Sequence, residues 1–232
     1  MRILSRAIPL LALTAVAAAN SVQAQAASSK SADVAQIRDN RFKWFFGAQA
    51  GAMVFETSAQ SQTGVPAFGA HIAVVNRRGG LMLGVDEAFG SDESASFVDA
   101  GAGGINRPVT FDRLRRYSFN MTGYPVRGKL EPYLGVGFGM LQVINPQLGG
   151  VFTSPTQAAL SADEADQRSA TGFMSFLAGV QFRVGRYAAF GQYQISSSPS
   201  AGNLLRGSGH LIMGGLRFSL GSARETVKGG GY

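Results

Sequence analysis

Two residues near the end of the chain have the types and spacing of a hydrolytic pair, Ser208 and His210. A serine nucleophile needs a base within hydrogen-bond reach and a carboxylate that orients this base. Residues i and i+2 of a β-strand lie on the same face, so a strand here would bring the two side chains together. No acidic residue follows at a spacing compatible with a strand. We therefore predict no catalytic site, and we interpret His210 as a histidine at the rim of the fold.

The chain offers little for a metal or cofactor site. It contains two histidines and no cysteine, so a zinc site is not expected. The acidic stretches SDES at 91–94 and DEADQ at 163–167 lack the spacing of an EF-hand calcium loop. The glycine-rich stretch GAGGIN at 101–106 precedes no helical pattern, which a dinucleotide site would require. We predict no metal, no cofactor and no enzymatic activity, with His71 facing the interior of the fold.

A second polar set lies on one face of several predicted strands. If these strands close into a barrel, the following side chains meet in its interior: Gln49, Asp86, Arg116, Glu131, Gln181, Arg183 and Arg217. Buried charges are costly unless they are paired, and both signs are present. We interpret the set as an ion-pair network that holds the barrel shut. A narrow gated pore is the alternative interpretation.

The elements that would position these residues are short alternating segments. Eight such segments can be distinguished, at 43–56, 66–77, 80–90, 115–126, 129–144, 172–184, 186–197 and 209–220. All are long enough to cross a bilayer as tilted strands, which takes about 9–11 residues. Tight turns follow the second, fourth and sixth segments, whereas long polar stretches cover roughly 57–65, 91–114, 145–171 and 198–208. This alternation is typical of an outer-membrane barrel.

In most of the segments, one face carries no charge. In the first segment, Trp44, Phe46 and Val54 share a face, and Gln49 lies on the other. In EPYLGVGFGM at 131–140, the apolar residues alternate with glycines at 135, 137 and 139. An eight-stranded barrel is only just wide enough for side chains, so inward glycines would make room for larger neighbours. Glu87 departs from the pattern, because it shares a face with Leu83 and Val85. Either it lies above the apolar band or a bulge shifts the register.

The two ends of the chain differ from this regular part. Arg2 and Arg6 precede an apolar run at 8–19, and small residues at 22 and 24 are typical of a signal-peptidase site. We predict a cleavable signal peptide at 1–24, a flexible periplasmic leader at 25–42, the barrel at 43–220 and a tail at 221–232. The formal net charge of +7 is not clustered, so we predict no nucleic-acid partner.

Aromatic residues next to the tight turns suggest a girdle. Aromatic rings favour the interface between membrane and water, where an apolar body and a polar tip are both accommodated. We predict that a girdle is formed by Trp44, Tyr124, Tyr133, Phe182, Tyr187 and Phe218.

The strand EPYLGVGFGM resembles the PYxGxGxG strand of the small outer-membrane β-barrel superfamily that includes OmpA-like, OmpW-like and opacity-type proteins. GGLRFSL at 214–220 is similar to the closing strand of that family. The resemblance covers about 43–220 and implies an all-β fold, an eight-stranded antiparallel up-and-down transmembrane barrel. The family's assembly signal usually ends in an aromatic residue at the C-terminus itself, whereas here Leu220 takes that place and a tail follows.

The resemblance implies location in the outer membrane of a Gram-negative bacterium. The expected partners are outer-membrane lipid and lipopolysaccharide, with the barrel-assembly machinery during biogenesis, and the expected state is a monomer. We predict a non-enzymatic structural or surface-interaction role carried by the long loops, especially 91–114 and 145–171. The alternatives are a narrow channel or conduit for small, hydrophobic solutes, a lipid A-modifying enzyme that uses Ser208 and His210, and a soluble lipocalin-like barrel.

Overall fold

The computed structural model describes residues 42–76, 78–199 and 202–223. Within these residues, the strands and one α-helix run in chain order as follows: β1 Phe42–Thr57, β2 Thr63–Asn76, β3 Gly79–Asp99, β4 Ile105–Gly123, β5 Leu130–Ile144, β6 Gln147–Leu148, α1 Pro155–Gln167, β7 Ala170–Val184, β8 Tyr187–Ser196 and β9 Leu205–Ala223. In this part of the chain no helix is both long and apolar enough to cross a membrane. The predicted signal peptide lies outside the described residues, as does the leader except for Phe42.

Eight of the strands form a closed barrel. Each pairs antiparallel with its neighbours in the order β3-β2-β1-β9-β8-β7-β5-β4, and pairing between β3 and β4 closes the circle. The two-residue strand β6 pairs only with β4 and stands outside the circle. The predicted fold class, an eight-stranded antiparallel barrel, is confirmed.

The predicted long loop at 91–114 is wrong, because most of it continues the barrel strands. β3 runs to Asp99 and β4 begins at Ile105, so the two strands form a hairpin that projects past the barrel. A register shift between Phe89 and Glu93, with a positive φ of 54° at Asp92, marks where the projection begins. The inward residues Ala95, Phe97, Val109 and Phe111 continue the alternation and are buried.

The predicted loop at 145–171 contains the helix α1. Ser154 is its N-cap and accepts a hydrogen bond from the backbone N–H of Gln157 at 3.2 Å, and Pro155 occupies the first turn. Serine as N-cap and proline at the first helical position are the residues that helix starts favour. We refer to this helix together with the projecting part of the β3–β4 hairpin, residues 93–111, as the cap.

The interior is layered along the barrel axis. The end with long connections holds a large apolar cluster that includes Met53, Phe55, Phe111 and Leu141 and continues into the cap through Ala165. The end with tight turns holds a smaller cluster around Phe45, Met82 and Tyr133. Polar side chains occupy the space between them.

The glycines of β5 make room for this interior, as predicted. A Cβ atom on Gly139 would lie 2.5 Å from Cζ of Phe173, and one on Gly135 would lie 2.9 Å from Cδ2 of Leu177. Real Cβ atoms do not approach so closely, so a larger residue at these positions would force neighbouring strands apart.

Candidate functional site

The polar part of the interior, which we call the lumen network, begins beside the large apolar cluster. Gln49 donates a hydrogen bond to one carboxylate oxygen of Asp86. Arg116 lies 3.4 Å from the other oxygen of Asp86 and donates to the amide oxygen of Gln194 at 2.7 Å. The guanidinium also lies 4.5 Å from the centre of the Phe173 ring. These side chains are all nearly fully buried.

Arg217 is the centre of the network's other half. Its Nη1 donates to the amide oxygen of Gln181 at 2.8 Å, and its Nε donates to Nε2 of His71 at 2.8 Å. The guanidinium stacks 4.1 Å above the centre of the Phe190 ring. Because Nε2 of His71 accepts a hydrogen bond, the ring is neutral and its proton is on Nδ1.

The network ends near the tight turns at Glu131. This carboxylate accepts a hydrogen bond from Gln181 at 2.6 Å and lies 2.9 Å from Arg183 and 3.4 Å from Arg127. Arg127 stacks in turn on Tyr124, at 4.5 Å from the ring centre. The acid at this end of the lumen is therefore surrounded by two cations and an amide.

Two neutral side chains join the halves. Gln192 donates to Gln49 at 3.3 Å, and its amide oxygen accepts from Tyr133 at 3.0 Å. Tyr133 also accepts from Arg217 at 3.3 Å. The chain of hydrogen bonds from Asp86 to Glu131 is thus continuous, and every one of the eight barrel strands contributes to it.

The structure brings together the seven interior polar residues that the sequence predicted. Six of them are buried and Arg183 is half-buried beside Glu131, and the predicted position of His71 inside the fold is also correct. The prediction missed Gln192, Gln194 and Tyr133, although each alternates with an apolar outward residue, such as Tyr193, Ile195 or Leu134. That alternation was the available signal.

Two members of the predicted aromatic girdle are in the interior instead. Tyr133 is 1% exposed because it alternates with the outward Leu134, and Tyr124 is 3% exposed because it continues the inward alternation of Thr122 and packs against Tyr133. Trp44, Phe182 and Tyr187 are exposed on the outer face near the tight turns, and Phe218 lies against Tyr187 at 5.3 Å between ring centres. The girdle prediction is therefore wrong for Tyr124 and Tyr133.

A second buried charge cluster, which we call the cap anchor, holds α1 to the projecting hairpin. Oδ2 of Asp99 accepts from Nε of Arg107 at 2.6 Å and from the hydroxyl of Ser161 at 2.5 Å. Arg107 also donates to the carbonyl of Gly149 at 3.2 Å and stacks 4.2 Å over the Phe152 ring. The three side chains are at most 1% exposed.

The hydrogen bond from Ser161 is the largest cause that lowers the pKa of Asp99 below its ordinary value of 3.8. Arg107 lowers the pKa further by its hydrogen bond and its charge. Asp99 is therefore an anion at neutral pH, and it accepts hydrogen bonds from both the helix and the hairpin.

The hydrolytic pair does not form a catalytic arrangement. His210 is on the outer face, where its Nδ1 and the hydroxyl of Tyr193 are 2.6 Å apart and the two rings stack. Among the described residues no hydrogen bond joins Ser208 to His210. Within the same residues no three of the histidine and acidic side chains converge as a metal site would require.

Glu87, the residue that departed from the pattern, faces outward. The register is continuous on both sides of it, with Glu87 opposite Arg115. The carboxylate lies 3.2 Å from Nη2 of Arg115 and 3.8 Å from Nη1 of Arg113. The bulge begins only at Phe89, so the position of Glu87 is explained by these arginines and not by a shifted register.

Comparisons with known proteins found solved structures only. The chain has 11% sequence identity and a TM-score of 0.48 with Neisserial surface protein A, over 75% of this chain and 96% of that chain. The N-terminal β-barrel domain of Pseudomonas aeruginosa OprF has 10% identity and a TM-score of 0.44, over 78% of this chain and 98% of that one. No protein family and no curated protein sequence matches. The fold stated above follows from the strand pairing of this chain.

Proposed function

We propose that this protein is a bacterial outer-membrane barrel with a closed lumen, and that it presents the cap at the cell surface as a rigid platform for interaction. The observation that carries the proposal is the lumen network, which fills the barrel between two apolar clusters and takes a side chain from every strand. Surface interaction is the role and the barrel is its anchor.

The outer face supports insertion in a membrane. Large apolar side chains are exposed all round the barrel, among them Phe46, Leu83, Phe138, Phe176 and Leu216. Soluble proteins rarely expose so large a continuous apolar surface, whereas a barrel in lipid requires it. The same feature argues against the lipocalin-like alternative, in which polar residues would face outward.

The contents of the lumen argue against a channel or a conduit. Arg217 donates hydrogen bonds to side chains on five other strands and stacks on Phe190, so a permeating ion would have to displace a buried guanidinium. The apolar side chains at the cap end are packed against one another and are buried, so they leave no open path for a hydrophobic solute.

The order of the cap supports a surface role. Its helix has a hydrogen-bonded N-cap, a buried anchor to the hairpin and an ion pair of 2.6 Å between Glu164 and Arg168. A pre-organised surface loses less conformational entropy when a partner binds. Lipid of the outer membrane is the proposed surrounding, with the barrel-assembly machinery as partner during insertion and the monomer as the functional unit.

Cysteine labelling on intact cells tests the location and orientation. The native chain has no cysteine, so one engineered thiol is the only target. Val151 in the cap-end connection is 89% exposed, and Val126 in a tight turn is 56% exposed. We expect a membrane-impermeant maleimide to label V151C on intact cells and V126C only after permeabilisation. Labelling of neither on intact cells would refute the surface location.

Planar-bilayer recordings test the closed lumen. We expect purified, refolded wild-type protein to give no steady ion conductance. We expect Arg217→Ala to give measurable conductance, because it removes the side chain that joins β9 to five other strands of the lumen. Conductance of the wild type would favour the channel alternative.

A further inference from the structure

We propose that the end of the barrel with tight turns binds the peptidoglycan layer through a ring of basic side chains, which contact free carboxylates of the cell-wall peptides. This inference rests on the orientation proposed above, which places the tight turns in the periplasm. It assigns an interaction surface to the end of the molecule opposite the cap. We call this surface the basic rim, and its members are Lys43, Arg78, Lys129 and Arg186.

The basic rim surrounds the mouth of the barrel. Arg78 lies between β2 and β3, Lys129 between β4 and β5, and Arg186 between β7 and β8, while Lys43 is at the start of β1. In the circular strand order, each successive pair of strands therefore carries one of these cations. A ring of charges that is spread round the whole mouth fits an extended anionic layer better than a compact ligand held on one side.

The charges of the rim are available to an external partner. All four side chains are exposed, and none of them forms a hydrogen bond or an ion pair with another described residue. Arg127 and Arg183, at the same end, differ in this respect because both are paired with Glu131. The rim thus has ammonium and guanidinium donors that no group in the described part of the chain satisfies.

Exposed acids are absent from this end of the described structure. Glu131 is the one acid there, and it is 2% exposed. The exposed aspartates of the described residues lie at the other end: Asp92, Asp112, Asp163 and Asp166. By sequence, 25–41 contains three basic and two acidic residues, and 224–232 contains two basic and one acidic residue, so neither segment is an acidic occupant for the rim. The charge at this end therefore selects an anionic partner from outside the chain.

The position of the rim favours a partner in water over the lipid head groups. The outward residues beside the rim are exposed and apolar or aromatic: Trp44, Leu130, Val184 and Tyr187. Such residues mark the edge of the lipid belt. Lys43 alternates with Trp44 and so lies on the inner face of β1, over the mouth of the lumen, and the other three cations lie in turns beyond the belt. The rim therefore faces the periplasm, where peptidoglycan is an extended polymer with repeated free carboxylates.

The strength of such binding comes from several contacts at once. A single exposed ion pair contributes little, whereas a layer that engages several cations of one protein gains from their combination. Exposed charges are screened by salt, with a Debye length of about 10 Å at 0.1 M ionic strength. We therefore expect binding that weakens as the salt concentration rises.

Co-sedimentation of the purified, detergent-solubilised protein with isolated peptidoglycan sacculi tests the proposal. The triple variant Arg78→Gln, Lys129→Gln, Arg186→Gln should bind about tenfold more weakly than the wild type, because three carboxylate contacts are lost. The control variant Arg113→Gln, Arg115→Gln, Arg206→Gln removes the same charge near the cap end and should bind as the wild type does. Sacculi whose carboxylates have been converted to amides should no longer bind the wild type.

Three outcomes would overturn the proposal: wild-type binding by the rim variant, an equal loss in the control variant, or unchanged binding to amidated sacculi. Displacement of the sacculi by phosphatidylglycerol in the micelles would also overturn it, since the rim would then prefer lipid phosphate. Heat-dependent gel mobility confirms that each variant is a folded barrel. Failure to bind sacculi by a protein that is surface-labelled at V151C would refute this inference alone, whereas labelling of V126C on intact cells would refute the orientation.

Discussion

The lumen network and the cap anchor both bury an arginine against an aspartate, but they are held in different ways. In the lumen, Arg116 and Asp86 are 3.4 Å apart and are linked through amides to partners on every strand of the barrel. In the cap, Arg107 and Asp99 are 2.6 Å apart, and the third partner, Ser161, belongs to a single helix. The lumen network is thus coupled to closure of the barrel, whereas the cap anchor holds one local element.

The comparison teaches that two equally buried ion pairs need not have equal effects on the stability of the protein. No side chain of the lumen network can be removed by substitution without a change in the packing of the strands on both sides of it. The helix α1 can separate from the hairpin while the barrel below keeps all its strand pairs. We therefore expect disruption of the lumen to change global stability, and disruption of the cap to change local accessibility.

Arg116→Met is expected to have the largest effect. It leaves Asp86 buried with only Gln49 as a partner, and removal of one member of a buried pair costs about 3–5 kcal/mol. The free energy of unfolding should fall by this amount in urea titrations of the protein in lipid vesicles, followed by gel mobility. The double variant Asp86→Leu with Arg116→Met removes both charges and should recover most of the loss. An unchanged urea midpoint for Arg116→Met would remove the distinction between the two regions.

Glycine substitutions should give a smaller effect with the same contrast. A Cβ atom at Gly139 would meet the Phe173 ring and the backbone of β4, whereas one at Gly101 in the cap would be 3.4 Å from Asp99 and 3.8 Å from Leu160, ordinary contacts. Overpacking typically costs about 1–3 kcal/mol. We expect Gly139→Ala to lower the urea midpoint and Gly101→Ala to leave it unchanged. Equal midpoints would show that the lumen has room that the structure does not indicate.

The barrel was predictable from the sequence because its lining and its outer face alternate with period two. The alternation was correct for Gln49, Gln181 and Arg217, which all face the lumen. The same rule applied to Tyr133 would have placed it inside. The proximity of Tyr133 to a tight turn suggested a position in the aromatic girdle instead. The alternation of inward and outward residues is what determines its position in the interior.

The cap was not predictable to the same degree. α1 has a weakly amphipathic sequence with Ser161 and Ala165 as its buried residues, so the usual apolar stripe of a helix is missing. The anchor joins Asp99, Arg107 and Ser161, which are separated by up to 62 residues in the chain. Only the fold of the hairpin brings these three together, so no local pattern could have indicated the site.

Acid should release the cap before it affects the barrel. The pKa of Asp99 is lower in the folded protein than its ordinary value of 3.8, so its contribution to stability is fully present above 3.8 and is lost as the pH falls through the lower, folded value. Protonation removes the charge that Arg107 pairs with and one acceptor of Ser161. We expect pepsin to cleave α1, where Leu160 is exposed, increasingly fast as the pH falls below 3.8, while the barrel keeps its heat-dependent gel mobility.

Two variants identify the group responsible. Asp99→Asn cannot ionise, so its cap should be cleaved readily even at the upper end of pepsin's working range, with little further dependence on pH. Glu164→Gln removes the other acid that bonds across this contact, to the backbone N–H of Ala100 at 3.2 Å, and should keep the wild-type pH dependence. If Glu164→Gln abolished that dependence and Asp99→Asn preserved it, the half-buried Glu164 would control the cap. The buried aspartate would then have only the structural role that Asp86 has in the lumen, and the contrast between the two regions would no longer hold.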